Sequence, residues 1–167
     1  MKKNILTIKI MMVLFSSLLI FSNCSSTKSQ SADKGDFSAD AIKNMIDSRH
    51  FTFVAESVNP ARGRFRNLTS RYDVTVSADS LTTFLPYFGR SYTAPIDPSQ
   101  GGIKLTSTDF SYEVTNNRSN KWNVEIKPKD KQDVQQLNFS IFGNGSASLN
   151  VVSTSRDPIS FNGHLQK

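Results

Sequence analysis

Cys24 is the only cysteine in this 167-residue chain, and its position gives it the clearest chemistry. Three lysines, at positions 2, 3 and 9, precede an apolar run from Ile10 to Phe21. This order is typical of a secretory signal, and the run is shorter than the ~20 apolar residues that span a membrane. A cysteine directly behind such a signal predicts cleavage before Cys24 and acylation of its thiol, as in bacterial lipoproteins.

The residues around Cys24 leave alternatives to acylation open and predict where in the cell envelope the protein lies. Phe21 and Asn23 depart from the aliphatic and small residues that lipoprotein cleavage sites prefer. An ordinary signal with an incidental thiol and an uncut signal anchor therefore remain alternatives. Residue 25 is Ser, whereas an Asp there retains lipoproteins of enteric bacteria at the inner membrane, so we expect the outer membrane. The absence of acids from Ser25 to Ala32 favours the periplasmic side, and surface exposure stays open.

Arg62, Arg64 and Arg66 alternate with other residues and form a candidate anion-binding site. In an extended chain this period of two places all three guanidinium groups on one face. Such a face could bind phosphate or carboxylate groups, for example on lipopolysaccharide or an acidic glycan. The alternative is a charged edge strand, which discourages pairing with the sheets of other molecules.

Four aromatic residues in a segment that prolines interrupt form a second candidate, a platform for a sugar or an apolar ligand. Because proline cannot donate to a sheet ladder, this segment is expected to lie outside the regular strands. The alternative is that the rings fold over the end of a barrel and plug its core. The four residues are Phe84, Tyr87, Phe88 and Tyr92.

The residues that could support catalysis are few. His50 and His164 lie far apart, and the sequence predicts neither a metal site nor a cofactor. Glu113 and Glu125 could pair across a predicted hairpin, as the two carboxylates of a glycosidase do, but a solvated face is favoured. Nucleophile and phosphate-binding motifs are absent from the sequence. The sequence therefore favours a protein without enzymatic activity.

Ser80 is a candidate for covalent modification. The run Asp79-Ser80-Leu81 resembles the Asp-Ser/Thr-aliphatic acceptor used for O-glycosylation of exported proteins in gut-type Gram-negative bacteria. It falls in a predicted exposed turn.

The elements that must position these residues follow from hydrophobic periodicity. After a signal over residues 1–23 and an acylated, flexible tether over 24–36, residues 37–167 are expected to form one β-rich domain. Ser38 is the expected N-cap of one helix, with Ile42 and Ile46 on its apolar stripe. From Phe51 onward the period is two, in eight to nine short strands with short connections. The predicted fold is all-β, a mainly antiparallel meander that forms a barrel or a bent sandwich, with one N-terminal α-helix.

Composition excludes some partners and some means of stabilisation. Removing residues 1–23 takes away three lysines and no acid, which leaves 17 bases against 14 acids. This small excess gives no reason to expect nucleic acid as a partner. The mature chain of 144 residues is long enough for a core without disulfides, and with Cys24 acylated no internal disulfide can form.

Several short blocks, in order along the chain, carry a resemblance to a known family. The blocks are Phe51–Ala55, Asn59-Pro60, Asn67–Ser70, Tyr72-Asp73, Leu85–Tyr92, Gly101–Ile103, Phe110–Tyr112, Trp122–Val124 and Ile159–Gly163. They resemble a family of small Gram-negative lipoproteins classified as domain of unknown function 4251. The resemblance covers about residues 40 to 165 and implies a lipoprotein with a β-rich fold. It implies no activity, because the family is defined by having none assigned.

Together these features favour a lipid-anchored cell-envelope protein that binds a ligand, an envelope protein or a glycan without catalysis. The lipid anchor makes the membrane a partner. Two alternatives remain: a hydrolase acting on envelope glycans, and a carrier of a small apolar molecule in a hollow barrel. The hydrolase requires two carboxylates, or a His and a nucleophile, in one cleft, and the carrier requires an aromatic-lined cavity.

Overall fold

The computed structural model of the chain describes residues 37–92, 101–118, 120–130 and 133–166, without the side chains of residues 116–118. These residues form one helix and nine strands. Helix α1 spans Ala39–Asp47. The strands are β1 (Phe51–Pro60), β2 (Arg66–Val76), β3 (Leu81–Leu85), β4 (Ile103–Ser107), β5 (Phe110–Arg118), β6 (Lys121–Pro128), β7 (Val134–Phe142), β8 (Ser146–Ser153) and β9 (Ile159–Gln166).

Helix α1 begins and packs as its sequence predicts. The Ser38 hydroxyl accepts a hydrogen bond from the backbone N–H of Ala41 at 3.2 Å, which satisfies one of the free donors of the first turn. Ile42 and Ile46 are fully buried in the core. The Tyr112 hydroxyl on β5 donates to the Ile46 carbonyl at 2.9 Å and ties the helix to the sheet.

The nine strands form a single antiparallel sheet in the order β4-β3-β2-β1-β9-β8-β7-β6-β5. Its two outermost strands, β4 and β5, follow each other in the chain with only Thr108 and Asp109 between them. A sheet whose two edges are joined by two residues must curl until those edges approach each other. The result is a nearly closed barrel, which confirms the predicted all-β fold with one N-terminal helix.

Large apolar side chains fill the interior of the barrel. Phe139 on β7 meets Phe51 and Phe53 on β1 edge to face, with ring centroids 5.7 and 5.8 Å apart. Each such aromatic pair adds about 0.5–1.5 kcal/mol beyond the apolar area that it buries. Trp122, which opens β6, is also buried, at 5% exposure. A hollow carrier would instead need these rings to line a cavity.

A bulge in β1 interrupts the regular alternation. The register with β9 shifts between Ala55 and Ser57, so Glu56 is an extra residue that points outward. Next to the bulge the two backbones approach so closely that a Cβ atom on Gly163 would lie 1.9 Å from the Val54 carbonyl oxygen. Only glycine fits at position 163 without a shift of the backbone.

Strand β2 starts earlier than the periodicity around Tyr72 predicts. Its first residues, Arg66 and Asn67, pair with Val58 and Ser57 of β1. The pairing with β3 begins only at Asp73. The first half of β2 is therefore a local edge, although β2 lies inside the sheet.

Candidate functional site

Phe84 and Tyr72 form an exposed aromatic pair on the outside of the barrel. Phe84, on β3, is 48% exposed, and its ring stacks on Tyr72 of β2 with 5.6 Å between centroids and 30° between planes. Lys104 lies directly opposite Phe84 in the ladder between β3 and β4. Its Nζ atom lies 5.7 Å from the centroid of the Phe84 ring, within the range of cation–π attraction.

Phe88 and Arg66 form a second pair of the same kind beside the first. Phe88 lies in the loop after β3 and is 40% exposed. The Arg66 guanidinium lies 4.9 Å from the centroid of its ring. Beside the rings of Phe84 and Phe88 is an open groove of about 390 Å³, here called the aromatic groove. It is lined by Tyr72, Phe84, Leu85, Pro86, Tyr87, Phe88, Gly101, Gly102 and Lys104.

The wall of the aromatic groove is fixed by Arg156, from the loop between β8 and β9. Its Nη1 donates to the Gly102 carbonyl at 2.9 Å, and its guanidinium lies 5.2 Å from the centroid of the Tyr87 ring. Its Nε is 3.3 Å from Asp133 Oδ2. Burial raises the pKa of Asp133, but hydrogen bonds from Ser155 and Thr154, together with the charge of Arg156, outweigh burial and hold that pKa below its ordinary value.

Asp157 lies behind the groove and accepts hydrogen bonds from two tyrosines of the loop after β3. The Tyr87 hydroxyl shares its one proton between two acceptors, the Arg90 carbonyl at 2.7 Å and the Asp157 carbonyl at 3.0 Å. The Tyr92 hydroxyl donates to Asp157 Oδ1. Burial, followed by the charge of Asp157, raises the pKa of Tyr87. The hydrogen bond to Asp157 is the main cause that raises the pKa of Tyr92. Because the pKa values of Tyr87 and Tyr92 are both raised from 10.0, both hydroxyls are protonated at neutral pH.

The three predicted arginines lie near this site but have different surroundings. Residues 61–63 form a bend rather than an extended strand, and β2 starts only at Arg66. Arg62 Nε lies 3.8 Å from Asp157 Oδ2. Arg66 contacts Phe88, and Arg64 is exposed. The two features that the sequence presents separately, arginines and aromatic rings, therefore meet on one surface.

The four predicted aromatic residues separate into exposed rings and one anchored ring. Phe84, Phe88 and Tyr92 are exposed, the last at 62%, so they do not plug the barrel. Tyr87 is partly buried and packs against the core. The rings thus form a surface, and Tyr87 holds that surface to the domain.

The other predicted positions lie elsewhere. Ser80 ends the turn between β2 and β3, where its carbonyl accepts a hydrogen bond from the Ser77 N–H at 2.8 Å. The preceding Asp79 is exposed. Cys24, the signal and the tether fall outside the described residues.

The carboxylate pair is in register but engaged with other groups. Glu113 and Glu125 are direct partners across β5 and β6. The carboxylate of Glu125 is bound by Lys127 and by the Gln136 amide. The hydrogen bond to Glu125 is the main cause that raises the pKa of Lys127. This arrangement is that of a solvated face.

A histidine–carboxylate pair that the sequence did not suggest lies at the β1 bulge. His164 Nδ1 is 3.0 Å from Glu56 Oε1, beside a cavity of about 120 Å³. Ser146 is the strand partner of His164, but its hydroxyl donates to the Asn144 side chain at 2.7 Å. Within the described part of the chain, no hydrogen bond joins Ser146 to His164. A nucleophile–base–acid triad is therefore not assembled.

Metal binding and membrane spanning receive no support from the described ranges. In them, no three His, Cys, Asp or Glu side chains lie close enough together to hold a metal ion. The helix that they contain is too short and too polar to cross a membrane.

Comparison with known proteins agrees with the fold. A family model described as domain of unknown function (DUF4251) matches residues 34–165. The chain belongs to this family. The crystal structure of a DUF4251 family protein from Bacteroides eggerthii DSM 20697 matches with a TM-score of 0.51 and 15% sequence identity, covering 80% of this chain and 91% of that chain. At that identity the likeness shows the fold of the DUF4251 domain alone. Among curated proteins, no match is found.

Proposed function

We propose that this DUF4251 protein is a lipid-anchored protein of the outer membrane whose β domain binds an acidic glycan of the cell envelope in the aromatic groove. The observation that carries the proposal is the pairing of exposed rings with cations on one groove, Arg66 over Phe88 and Lys104 over Phe84. Flat exposed rings suit the C–H faces of sugar rings, and the cations suit carboxylate, sulfate or phosphate groups on them.

The charges around the aromatic groove support an anionic ligand. Among the described residues, Arg66 has no carboxylate within salt-bridge distance, and its guanidinium contacts the Phe88 ring. A guanidinium that contacts a ring by cation–π attraction makes no hydrogen bond to it, so its N–H donors stay available for an acid. Asp73, which lies across from Phe84 in the ladder, is already paired with Arg71 at 3.0 Å.

The two alternative functions have weaker support. A carrier of an apolar ligand would need space inside the barrel, where Phe53, Phe139 and Phe161 are fully buried. A hydrolase has the Glu56–His164 pair in its favour. That pair lacks a bonded nucleophile in the described residues and lies on β1 and β9, not at the groove. Binding without catalysis is therefore the function that we propose.

The binding proposal is tested by comparing a sugar ligand with a ligand of the same charge that has no sugar. Full-length protein is loaded on heparin and on a sulfopropyl cation exchanger, and the salt concentration at elution is measured. We expect later elution from heparin. Phe88→Ser should elute at lower salt from heparin and at unchanged salt from the cation exchanger. The triple change of Arg62, Arg64 and Arg66 to Ser should lower the salt concentration at elution on both resins.

The matched control is Phe142→Ser, which removes an exposed ring with a lysine over it, at 5.5 Å, on another part of the sheet. It should elute like the wild type. Equal elution of the wild type and the triple arginine variant would refute the proposal. If that variant also aggregates more, the arginines protect the local edge of β2 instead.

The anchor is a separate part of the proposal, motivated by the position of Cys24 behind the apolar run. Cys24→Ala should move the protein from the membrane to the soluble fraction and abolish labelling by radioactive palmitate. A wild-type protein that takes up no label would contradict acylation. We propose the periplasmic side, because residues 25–32 lack acids. Protease added to intact cells should then leave the protein uncut.

Glycosylation of Ser80 also remains a proposal, supported by the exposed Asp79 beside it in a turn. Mass spectrometry of the peptide that contains Ser80 tests it. Unmodified peptide from native cells would refute it.

A further inference from the structure

Asp157 carries a buried oxygen without a hydrogen bond. Its side chain is 7% exposed. Oδ1 accepts from the Tyr92 hydroxyl, whereas Oδ2 has no hydrogen-bond partner among the described residues. The nearest cation, Arg62 Nε, is 3.8 Å away, which is too long for a hydrogen bond. A buried carboxylate oxygen left without a donor is costly, so a donor that reaches it would be bound favourably.

The two side chains that contact the Asp157 carboxylate, Arg62 and Tyr92, are exposed and can themselves contact a ligand. The side chain of Arg62 is 71% exposed and Tyr92 is 62% exposed. A carboxylate, a guanidinium and an aromatic ring side by side offer an acceptor for hydroxyl groups, donors for ring and hydroxyl oxygens, and a flat apolar face. Those are the complementary groups for a neutral sugar residue.

This cluster adjoins the aromatic groove through Tyr87. The Tyr87 ring lines the groove, and its hydroxyl donates to the Asp157 carbonyl at 3.0 Å. Arg62 and Arg66 also lie four residues apart on the same loop and strand, one beside Asp157 and the other over Phe88. A glycan held in the groove would therefore extend past Asp157.

We propose that Asp157, Arg62 and Tyr92 form a second subsite, which binds a neutral sugar residue next to an acidic residue in the aromatic groove. This inference rests on the proposed function and adds a selectivity to it. Because Arg62 lies beside Asp157, the charges of the two groups compensate, and a second acidic residue would find no free cation there while meeting the carboxylate. The protein should therefore prefer glycans in which acidic and neutral residues alternate.

The test compares two probes of equal length by calorimetric titration of the full-length protein. Hyaluronan oligosaccharides alternate an acidic and a neutral residue, and oligogalacturonate carries an acid on every residue. The wild type should bind hyaluronan oligosaccharides more tightly. Asp157→Asn should reduce the affinity ratio between the two probes about tenfold. Hyaluronan oligosaccharides lose a charged acceptor for the hydroxyl groups of their neutral residue, and oligogalacturonate no longer meets a negative charge at this position.

Two further variants separate this inference from the proposed function. Tyr92→Ser changes an exposed residue, so it should fold and should also lower the ratio; it decides the question if Asp157→Asn does not fold by circular dichroism. Arg66→Ser should weaken both probes and leave the ratio unchanged. Equal wild-type affinities, or an unchanged ratio in Tyr92→Ser, would overturn the subsite while the groove stands. Absence of binding by the wild type to both probes would overturn the groove and the subsite together.

Discussion

Replacing Gly163 by Ala tests the close approach of β1 and β9 at the bulge. The added Cβ would lie 1.9 Å from the Val54 carbonyl oxygen, 2.9 Å from its carbon and 3.1 Å from the Ala55 Cα. These are backbone atoms, so no side-chain rotation relieves the contact. Reaching an ordinary contact of 3.4 Å requires the strands to separate by about 1.5 Å, which breaks neighbouring ladder hydrogen bonds.

The expected loss of folding free energy is the sum of two destabilising contributions and one stabilising contribution. Forcing extra volume into a packed site costs about 1–3 kcal/mol, and each lost ladder bond adds about 0.5–1.5 kcal/mol. The reduced entropy of the unfolded chain returns only about 0.4–1 kcal/mol. We therefore expect Gly163→Ala to destabilise the domain by about 3 kcal/mol.

Urea unfolding of the purified protein, followed by tryptophan fluorescence, measures this change. With a slope of about 1–3 kcal/mol per molar urea, the midpoint should fall by roughly 1–3 M. The matched control is Asn162→Ala on the same strand, whose side chain is exposed and whose effect should stay within about 0.5 kcal/mol. A midpoint for Gly163→Ala at or above that of the wild type would refute the close approach, because the entropic contribution alone would then remain.

Three further changes test other parts of the domain. Trp122→Ala removes the one tryptophan of the chain, so its urea unfolding and that of the wild type are followed by circular dichroism. The change should cost about 3–5 kcal/mol, because the ring is buried in the core, and a loss below about 1 kcal/mol would contradict that. Tyr112→Phe removes the donor to the Ile46 carbonyl and should cost about 0.5–1.5 kcal/mol, with hydrogen exchange rising in α1; unchanged exchange would argue against this tie. Asp133→Asn should destabilise the protein at neutral pH. Because folding lowers the pKa of Asp133 from 3.8, its contribution is fully present above that pH and is lost as the pH falls through the lower folded value. The difference in midpoint between the wild type and the variant should therefore shrink as the pH is lowered below 3.8; a constant difference would contradict the assignment.

The strands and the helix were predictable because their signals are local. Phe51 and Phe53 alternate with polar or outward residues, and both rings are buried where period two requires. Ser38 caps the helix from its own first turn. The Glu56 bulge was not predictable, since a single extra residue in one strand is defined only by its register with β9.

The site was predicted in its parts but not in its assembly. The arginines and the aromatic residues are visible in the sequence, and the ligand contacts that they suggest stay predictions. The sequence did not mark Asp157 as a site residue, because an aspartate followed by a proline is typical of an ordinary turn. Its role comes from the contact of its carbonyl with Tyr87, which lies 70 residues away in the chain. Contacts of this separation depend on how far the sheet curls, which periodicity does not specify.

The distribution of exposed rings argues that the aromatic groove has a function beyond folding. Phe65, Phe84, Phe88 and Tyr92 are four of the six large apolar side chains that are exposed among the described residues. Phe84 and Phe88 line the groove, Phe65 precedes the Arg66 that contacts Phe88, and Tyr92 follows Phe88 in the same loop. Burying such a ring is worth about 1.5–3 kcal/mol, and the same fold buries Phe53, Phe139 and Phe161 completely. Rings held at the surface therefore forgo stability that the barrel gains elsewhere. Exposed aromatic groups gathered in one place typically mark an interaction site, and the cations over two of these rings are the reason that we propose an anionic partner rather than a purely apolar one.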